Sequence, residues 1–392
     1  MSSSFSVFVK RIKIISAGGA ARLLAALSSV LISIIVVRTQ SSNLWGGLIP
    51  FILILEFGFS VVGFGSLPYL VQKFSLHPHQ IKAAWSQSFF SRSALLVLLL
   101  IVIPLLGYSA SIRIYLIIWA VGRYVFQSFE PIAQVERNFL FSTMMELIAI
   151  AIIAFPLILN EHNISIDTLV LLFAASMVWR STVSVIFFRE WISYSRPGLA
   201  YFKAAAPFFL LTISGMLQQR TDLYCVTYFL NDQETAVYQV YFNFLIFSQF
   251  LSSLLLSPFA KNIFRLSPLS LRKLERKFML AGIPLSIASL AAIYVMVKYL
   301  YHFELSWFMY ALGYFYILMF YLYLLRNYEL GKFYRQTTVA IYGFLGSALN
   351  LILCTILIPR FNMEGALAAG LSAQVLIVVL FRRTKAMSHA QG

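Results

Sequence analysis

Acidic residues are scarce in this chain: 14 Asp and Glu stand against 30 Lys and Arg among 392 residues, and charged side chains make up only 11% of the whole. A soluble domain carries about 25% charged residues, so this sequence falls outside that class. Cysteine is scarcer still. Cys225 and Cys354 are the two present, both inside apolar runs, and nothing in the sequence supports a disulfide between them or a metal site at either. No phosphate-cradling Gly-rich loop, no metal-ligand spacing and no nucleophile–base arrangement occurs. His77 and His79 supply two ligands in a short polar stretch, fewer than a closed metal site needs. Phosphate-driven energy coupling and catalysis therefore lack their usual residues, and the chain reads as a non-enzyme with no cofactor beyond a coupling ion, H⁺ or Na⁺.

Apolar residues fill the space. The chain is 60% hydrophobic, with 36 Phe and 21 Tyr. Its apolar runs are repeatedly about twenty residues long, enough to cross the hydrocarbon core of a bilayer. Inside lipid every backbone N–H and C=O must bond internally, which a continuous run achieves as a helix. The N-terminal MSSSFSVFVKRIK precedes an apolar stretch of about 24 residues, too long for a signal-peptide core. The expected spans cover 12–37, 44–71, 85–106, 112–132, 139–159 and 166–188, then 202–230, 235–260, 278–299, 304–325, 336–358 and 364–381. The fold class is an all-α polytopic membrane protein of about twelve helices. The polar break REWISYSRPGLA divides it into six-helix lobes at 1–197 and 198–392.

An even number of spans puts both termini on one side. With the N-terminus inside, 21 of the 30 basic residues fall in cytoplasmic loops and only Arg38, Arg113, Lys298 and Arg360 fall outside. This asymmetry sets both termini in the cytoplasm. It also accounts for the net charge of +16 without nucleic acid, since no basic stretch forms a separate domain. The longest expected loop, 261–277, is basic and suits anionic lipid head groups.

Five arginines remain, all within expected spans: Arg22, Arg92, Arg123, Arg180 and Arg220. A charge at the bilayer centre costs roughly 2.5–3.5 kcal/mol even on the lenient insertion scale. Arg22, Arg123 and Arg220 lie about nine or ten residues from a helix end, about 14 Å deep, too far for easy snorkelling. Glu56 is similarly central, whereas Arg92, Arg180 and Glu146 lie nearer the cytoplasmic end. Pairing with Glu56, Glu130, Glu146 and Asp222 explains part of this charge, but the arginines outnumber the acids near them. The surplus implies a hydrated cavity that holds an anion, lined by the first six spans and the seventh. On span seven, Ser214, Gln218 and Asp222 recur at i, i+4 and i+8 as one polar stripe. Pro207 removes a backbone hydrogen bond there, so Pro207 and Gln218 suit either a gate or simple packing.

QQRTDLYCVTYFLNDQETAVYQVYFNF, LNLILCTILIPRFNMEGALAAGLSAQV and GGLIPFILILEFGFSVVGFGSLPYLVQ together resemble the Wzx-type O-antigen and polysaccharide flippases of the multidrug/oligosaccharidyl-lipid/polysaccharide (MOP) exporter superfamily. The resemblance implies two six-helix lobes around a central cavity, alternating access, and a cargo of sugar repeat units on undecaprenyl pyrophosphate. It places the chain in the bacterial inner membrane, among membrane lipids and other polysaccharide-assembly proteins. It gives Arg22, Arg123 and Arg220 cationic cavity roles and makes Glu56 and Asp222 candidates for ion coupling. A drug–cation antiporter of the same superfamily is the nearest rival, although it would favour acidic lining. A membrane polymerase or glycosyltransferase would show a long extracytoplasmic loop, which this sequence lacks.

Overall fold

A computed structural model describes residues 23–24, 27–136, 138–160, 164–256, 268–332 and 336–383. Among them no strand occurs. The first part of the chain contains α1 (Leu27–Thr39), α2 (Ser42–Gly63), α3 (Ser66–Leu76), α4 (Ile81–Val102), α5 (Ala110–Val135), α6 (Phe139–Leu159) and α7 (Ile166–Phe187). The second contains α8 (Leu199–Phe229), α9 (Asp232–Leu256), α10 (Pro268–Val295), α11 (Trp307–Lys332) and α12 (Gln336–Arg383). Eight helical stretches among the described residues are long and apolar enough to cross a membrane; one joins α2 to α3 and another holds both arms of α12. α5 and α9 have the length but carry more polar side chains, and α1 is a shorter apolar helix. Each expected span thus meets a helix, the first only from Leu27 onward. The protein is a multi-pass helical membrane protein.

Helix starts follow capping chemistry written in the breaks. The side chains of Ser41, Ser109, Asn138 and Ser165 accept from the backbone N–H groups of Leu44, Ile112, Phe141 and Thr168, satisfying donors that the first turn leaves open. Before α9, Asn231 Oδ1 accepts from the Glu234 N–H at 2.9 Å while Glu234 reaches back to the Asn231 N–H, a reciprocal capping box.

Three expectations change. Span two is broken: Phe64 (φ 44°) and Gly65 (φ 63°) are both left-handed and separate α2 from α3. The expected loop 261–277 is helical from Pro268, whose missing N–H costs nothing at the first helical position. Residues 336–383 form two arms that turn at Asn362 (φ 48°), so a single residue makes the break expected between 358 and 364.

The chain divides into two compact units, 1–213 and 214–392. This division falls inside α8, the helix that follows the expected break at 197/198. In the first unit α5 packs along α7, and α6, α4 and α2 add to the pair. Lipid offers apolar side chains no less than a protein neighbour does, so close approach and dispersion hold such helices together. Gly122 is where this matters: a Cβ there would sit 2.9 Å from the backbone carbon of Met177 on α7. Leu70, Phe74, Trp85, Phe129, Ile132 and Phe188 form a buried cluster at one end.

Residues 188–198 lie against α4. The hydroxyls of Ser86 and Ser193 are 2.8 Å apart, the Gly198 N–H donates to Ser91 Oγ at 3.1 Å, and Tyr194 packs edge-on to Phe90. Nearby, burial raises the Glu136 carboxyl above its ordinary range, against a hydrogen bond with Trp191. In the second unit α11 packs on α12 and α10, with α9 beside both α10 and α11.

Candidate functional site

In the first unit the arginines expected within spans fall into three groups. Arg92, on α4, is only 2% exposed. Its Nε donates to Ser88 Oγ at 3.2 Å and its Nη2 to Ser128 Oγ at 3.0 Å, while its guanidinium carbon lies 5.3 Å from the centre of the Tyr124 ring. Ser128 is itself held in place on both sides. Its hydroxyl donates to the Tyr124 carbonyl at 2.7 Å, and its own carbonyl accepts from the Trp85 indole at 2.6 Å. The Tyr124 hydroxyl donates to the Phe89 carbonyl, which ties α5 to α4. Arg92 makes no ion pair among the described residues. Tyr201, 2% exposed, interacts with Arg92 electrostatically and packs edge-on to Tyr69. Hydroxyls and ring faces thus surround a buried cation.

Arg180 and Glu146 form the second group. Arg180 Nη2 donates to Glu146 Oε2 at 2.9 Å, joining α7 to α6, with side-chain exposures of 11% and 13%. The guanidinium also lies over the Phe126 ring at 5.4 Å, and its buried Nε lacks an acceptor among the described residues. The third group is Arg123 on α5, half-buried, with its guanidinium 4.9 Å from the centre of the Phe59 ring. Phe59 stands three residues beyond Glu56 on α2, on the same helix face, so Arg123 and Glu56 share one side of α2. Arg22 lies outside the described residues.

The lower half of α8 carries the polar groups of the second unit. Ser214 and Asp222 are buried, at 2% and 1% exposure, and Gln218 between them is half-buried. The stripe faces α12: Gly343 approaches Ser214, and Gly370 faces both Asp222 and Tyr316. Asp222 Oδ2 accepts from the Tyr238 hydroxyl at 2.5 Å, and Oδ1 accepts from the Leu223 N–H at 2.9 Å. Arg220 Nη1 reaches Asn243 Oδ1 at 3.4 Å. Tyr316 of α11 interacts with Gln374 of α12, one turn beyond Gly370, and Gln374 Oε1 is buried without a donor among the described residues. Pro207 stands higher on α8, in the first unit, next to Phe208 and Phe209, whose backbone touches Gly65.

Several of these residues escaped the sequence reading: Ser88, Ser128 and Tyr201 around Arg92, and Tyr238, Tyr316 and Gln374 around Asp222. One signal was available. α8 and α9 form a hairpin about Asn231, so residues within about two positions of equal distance from that turn come level. Asp222 with Tyr238 and Arg220 with Asn243 obey this rule.

No family model matches the sequence, and no curated protein does. Solved structures do. The lipid II flippase MurJ in an inward closed conformation aligns with a TM-score of 0.67 at 16% identity, covering 94% of this chain and 86% of that one. An inward-facing multidrug resistance MATE family transporter of the MOP superfamily aligns at 0.62 with 11% identity, over 91% and 94%. A Vibrio cholerae MATE transporter aligns at 0.61 with 12% identity, over 98% of both chains. Near-complete coverage at this likeness establishes architecture, although identity is too low to carry chemistry across. The chain has the fold shared by the MurJ flippase and the MATE transporters of the MOP superfamily.

Proposed function

We propose that the protein is a flippase for undecaprenyl-pyrophosphate-linked oligosaccharide repeat units, such as those of O-antigen or another surface polysaccharide. In this reading both termini are cytoplasmic and the cargo crosses the inner membrane by alternating access through a cationic central cavity. The observation that carries the proposal is Arg92, buried in the first unit among hydroxyls and aromatic rings with no ion pair among the described residues. Intramembrane positive charge kept at such cost calls for an anion, and guanidinium groups match phosphate oxygens bidentately. Arg123 and Arg220 retain partial exposure and so are the residues assigned to meet the pyrophosphate, with Arg22 and Arg92 as further cations of the same reading. Arg180, already paired with Glu146, contributes less. The lipid tail stays in the bilayer while the sugar head passes.

Asp222 is proposed as the coupling residue. Its buried carboxylate and Gln374 Oε1, which has no donor among the described residues, supply oxygen ligands of the kind H⁺ or Na⁺ would take. A cation that binds one state better than the other shifts the equilibrium between them, which is all that coupling requires.

Deletion and complementation test this. Loss of the gene is expected to abolish surface glycan and to trap the lipid-linked unit in the cytoplasmic leaflet. Wild type should restore display, whereas Arg123→Ala and Arg220→Ala should lower it at least tenfold at unchanged membrane abundance. Normal display with both variants would remove the cationic cavity. Intact glycan with altered resistance to cationic drugs would move the protein to the multidrug branch of the fold.

A further inference from the structure

The chain has two cysteines, 129 positions apart, and the second unit brings them together: Gly343 of α12 lies against Ser214 of α8, and eleven residues further along each helix the Cys354 and Cys225 side chains interact. A buried residue touches about 6–12 others, so two residues taken at random from a chain of this length would meet only about twice in a hundred cases. Cys225 is 5% exposed and lies one turn before the end of α8. Cys354 is fully buried, two turns before the bend at Asn362 in α12. Both are free thiols. Cys354 Sγ donates to Asn350 Oδ1 at 3.3 Å, which fixes its side chain. Asp222, three residues before Cys225 on the same helix face, acts electrostatically on both sulfurs.

We propose that Cys225 and Cys354 are a dithiol modification site, which a peroxide-class oxidant converts to a disulfide that ties α8 covalently to α12. Hydrogen peroxide is small and neutral enough to reach them through the bilayer. Cys225 loses its proton to the Asp222 carboxylate and attacks one peroxide oxygen. The O–O bond breaks, the departing hydroxide takes up a proton as water, and Cys225 becomes a sulfenic acid. The Cys354 sulfur then attacks the sulfenic sulfur, an S–S bond forms and a second water leaves. In total two thiols and one peroxide give one disulfide and two waters. Both sulfurs lie toward the ends of their helices that face outward in the orientation proposed above, the side on which disulfides persist. The bond would clamp the Ser214–Gln218–Asp222 stripe against α12, and so arrest any rearrangement there until it is reduced.

The test uses purified protein in detergent, treated with hydrogen peroxide and then denatured. Free thiols are counted with a maleimide and the intact mass is read alongside. Both thiols are expected to disappear together, with a mass loss of two hydrogens that dithiothreitol reverses in full. Cys225→Ser and Cys354→Ser should each leave a sulfur that gains oxygen instead. Persistence of both thiols, oxygen added to the wild-type protein without hydrogen loss, or chains joined to one another on non-reducing gels would each overturn the site. None of these readings involves cargo, so the dithiol can fail while glycan display upholds the flippase reading, or hold while that reading fails.

Discussion

Gly65→Ala is expected to lose most of the protein's thermal stability in detergent, and Gly65→Val to leave no folded protein to purify. Two costs add at this position. The backbone is left-handed there, with φ at 63°, where a side chain costs roughly 1–2 kcal/mol. A Cβ would also fall 2.5 Å from the Phe208 carbonyl carbon and 2.5 Å from the Phe209 nitrogen, and backbone atoms cannot rotate away. Overpacking of this kind costs typically about 1–3 kcal/mol, which brings the sum to about 2–5 kcal/mol for alanine. Phe64 shows what the contact secures: its ring stacks on Phe209 at 4.3 Å and meets Phe202 edge-on at 4.9 Å, so the break in span two is pinned to α8 beside Pro207. Gly63→Ala is the control, since nothing lies within 4 Å of its Cβ and alanine favours the helix by about 1 kcal/mol. Melting followed by intrinsic fluorescence separates the two. Equal midpoints for Gly65→Ala and wild type would show that α8 yields at this contact.

That break also marks where the sequence stopped being readable. Span positions could be read because lipid demands long apolar runs, and α6 occupies 139–159, the range expected of it. Caps were equally legible, since Ser41, Ser109, Asn138 and Ser165 stand at polar breaks before apolar runs. Gly63-Phe64-Gly65 could have been read as close packing or as a break, and only the approach of α8 selects the break. Partners of buried charges were harder. Arg92 finds its acceptors on Ser88, one turn away, and on Ser128, 36 residues on, and serines are too common in such helices to single that one out. The meeting of Cys225 and Cys354 depends on which faces of α8 and α12 touch. Hydropathy does not encode this, because either face would be accepted by lipid.

Glu146 and Arg180 test whether buried charge in the first unit serves structure or cargo. Arg180→Ala should cost about 3–5 kcal/mol, because it leaves the Glu146 carboxylate, 13% exposed, without its guanidinium partner. Glu146→Ala should cost a similar amount, since Arg180 then keeps a buried charge whose Nε already lacks an acceptor among the described residues. Replacing both, Arg180→Met with Glu146→Leu, removes two desolvated charges at once and should recover most of the loss. A double-mutant cycle on melting midpoints, with Arg180→Met and Glu146→Leu as its single variants, gives the coupling, expected to be at least about 3 kcal/mol because the double variant loses far less than the two singles together. Additive losses would mean that the two side chains stabilise their helices independently, through Phe126 and other neighbours. Glycan display then separates the roles. A double variant that is stable and fully active assigns the pair to helix packing and leaves Arg92, Arg123 and Arg220 as the cations in play. A double variant that is equally stable but inactive would place Arg180 among the groups that meet the anionic head, with Glu146 holding it until cargo arrives.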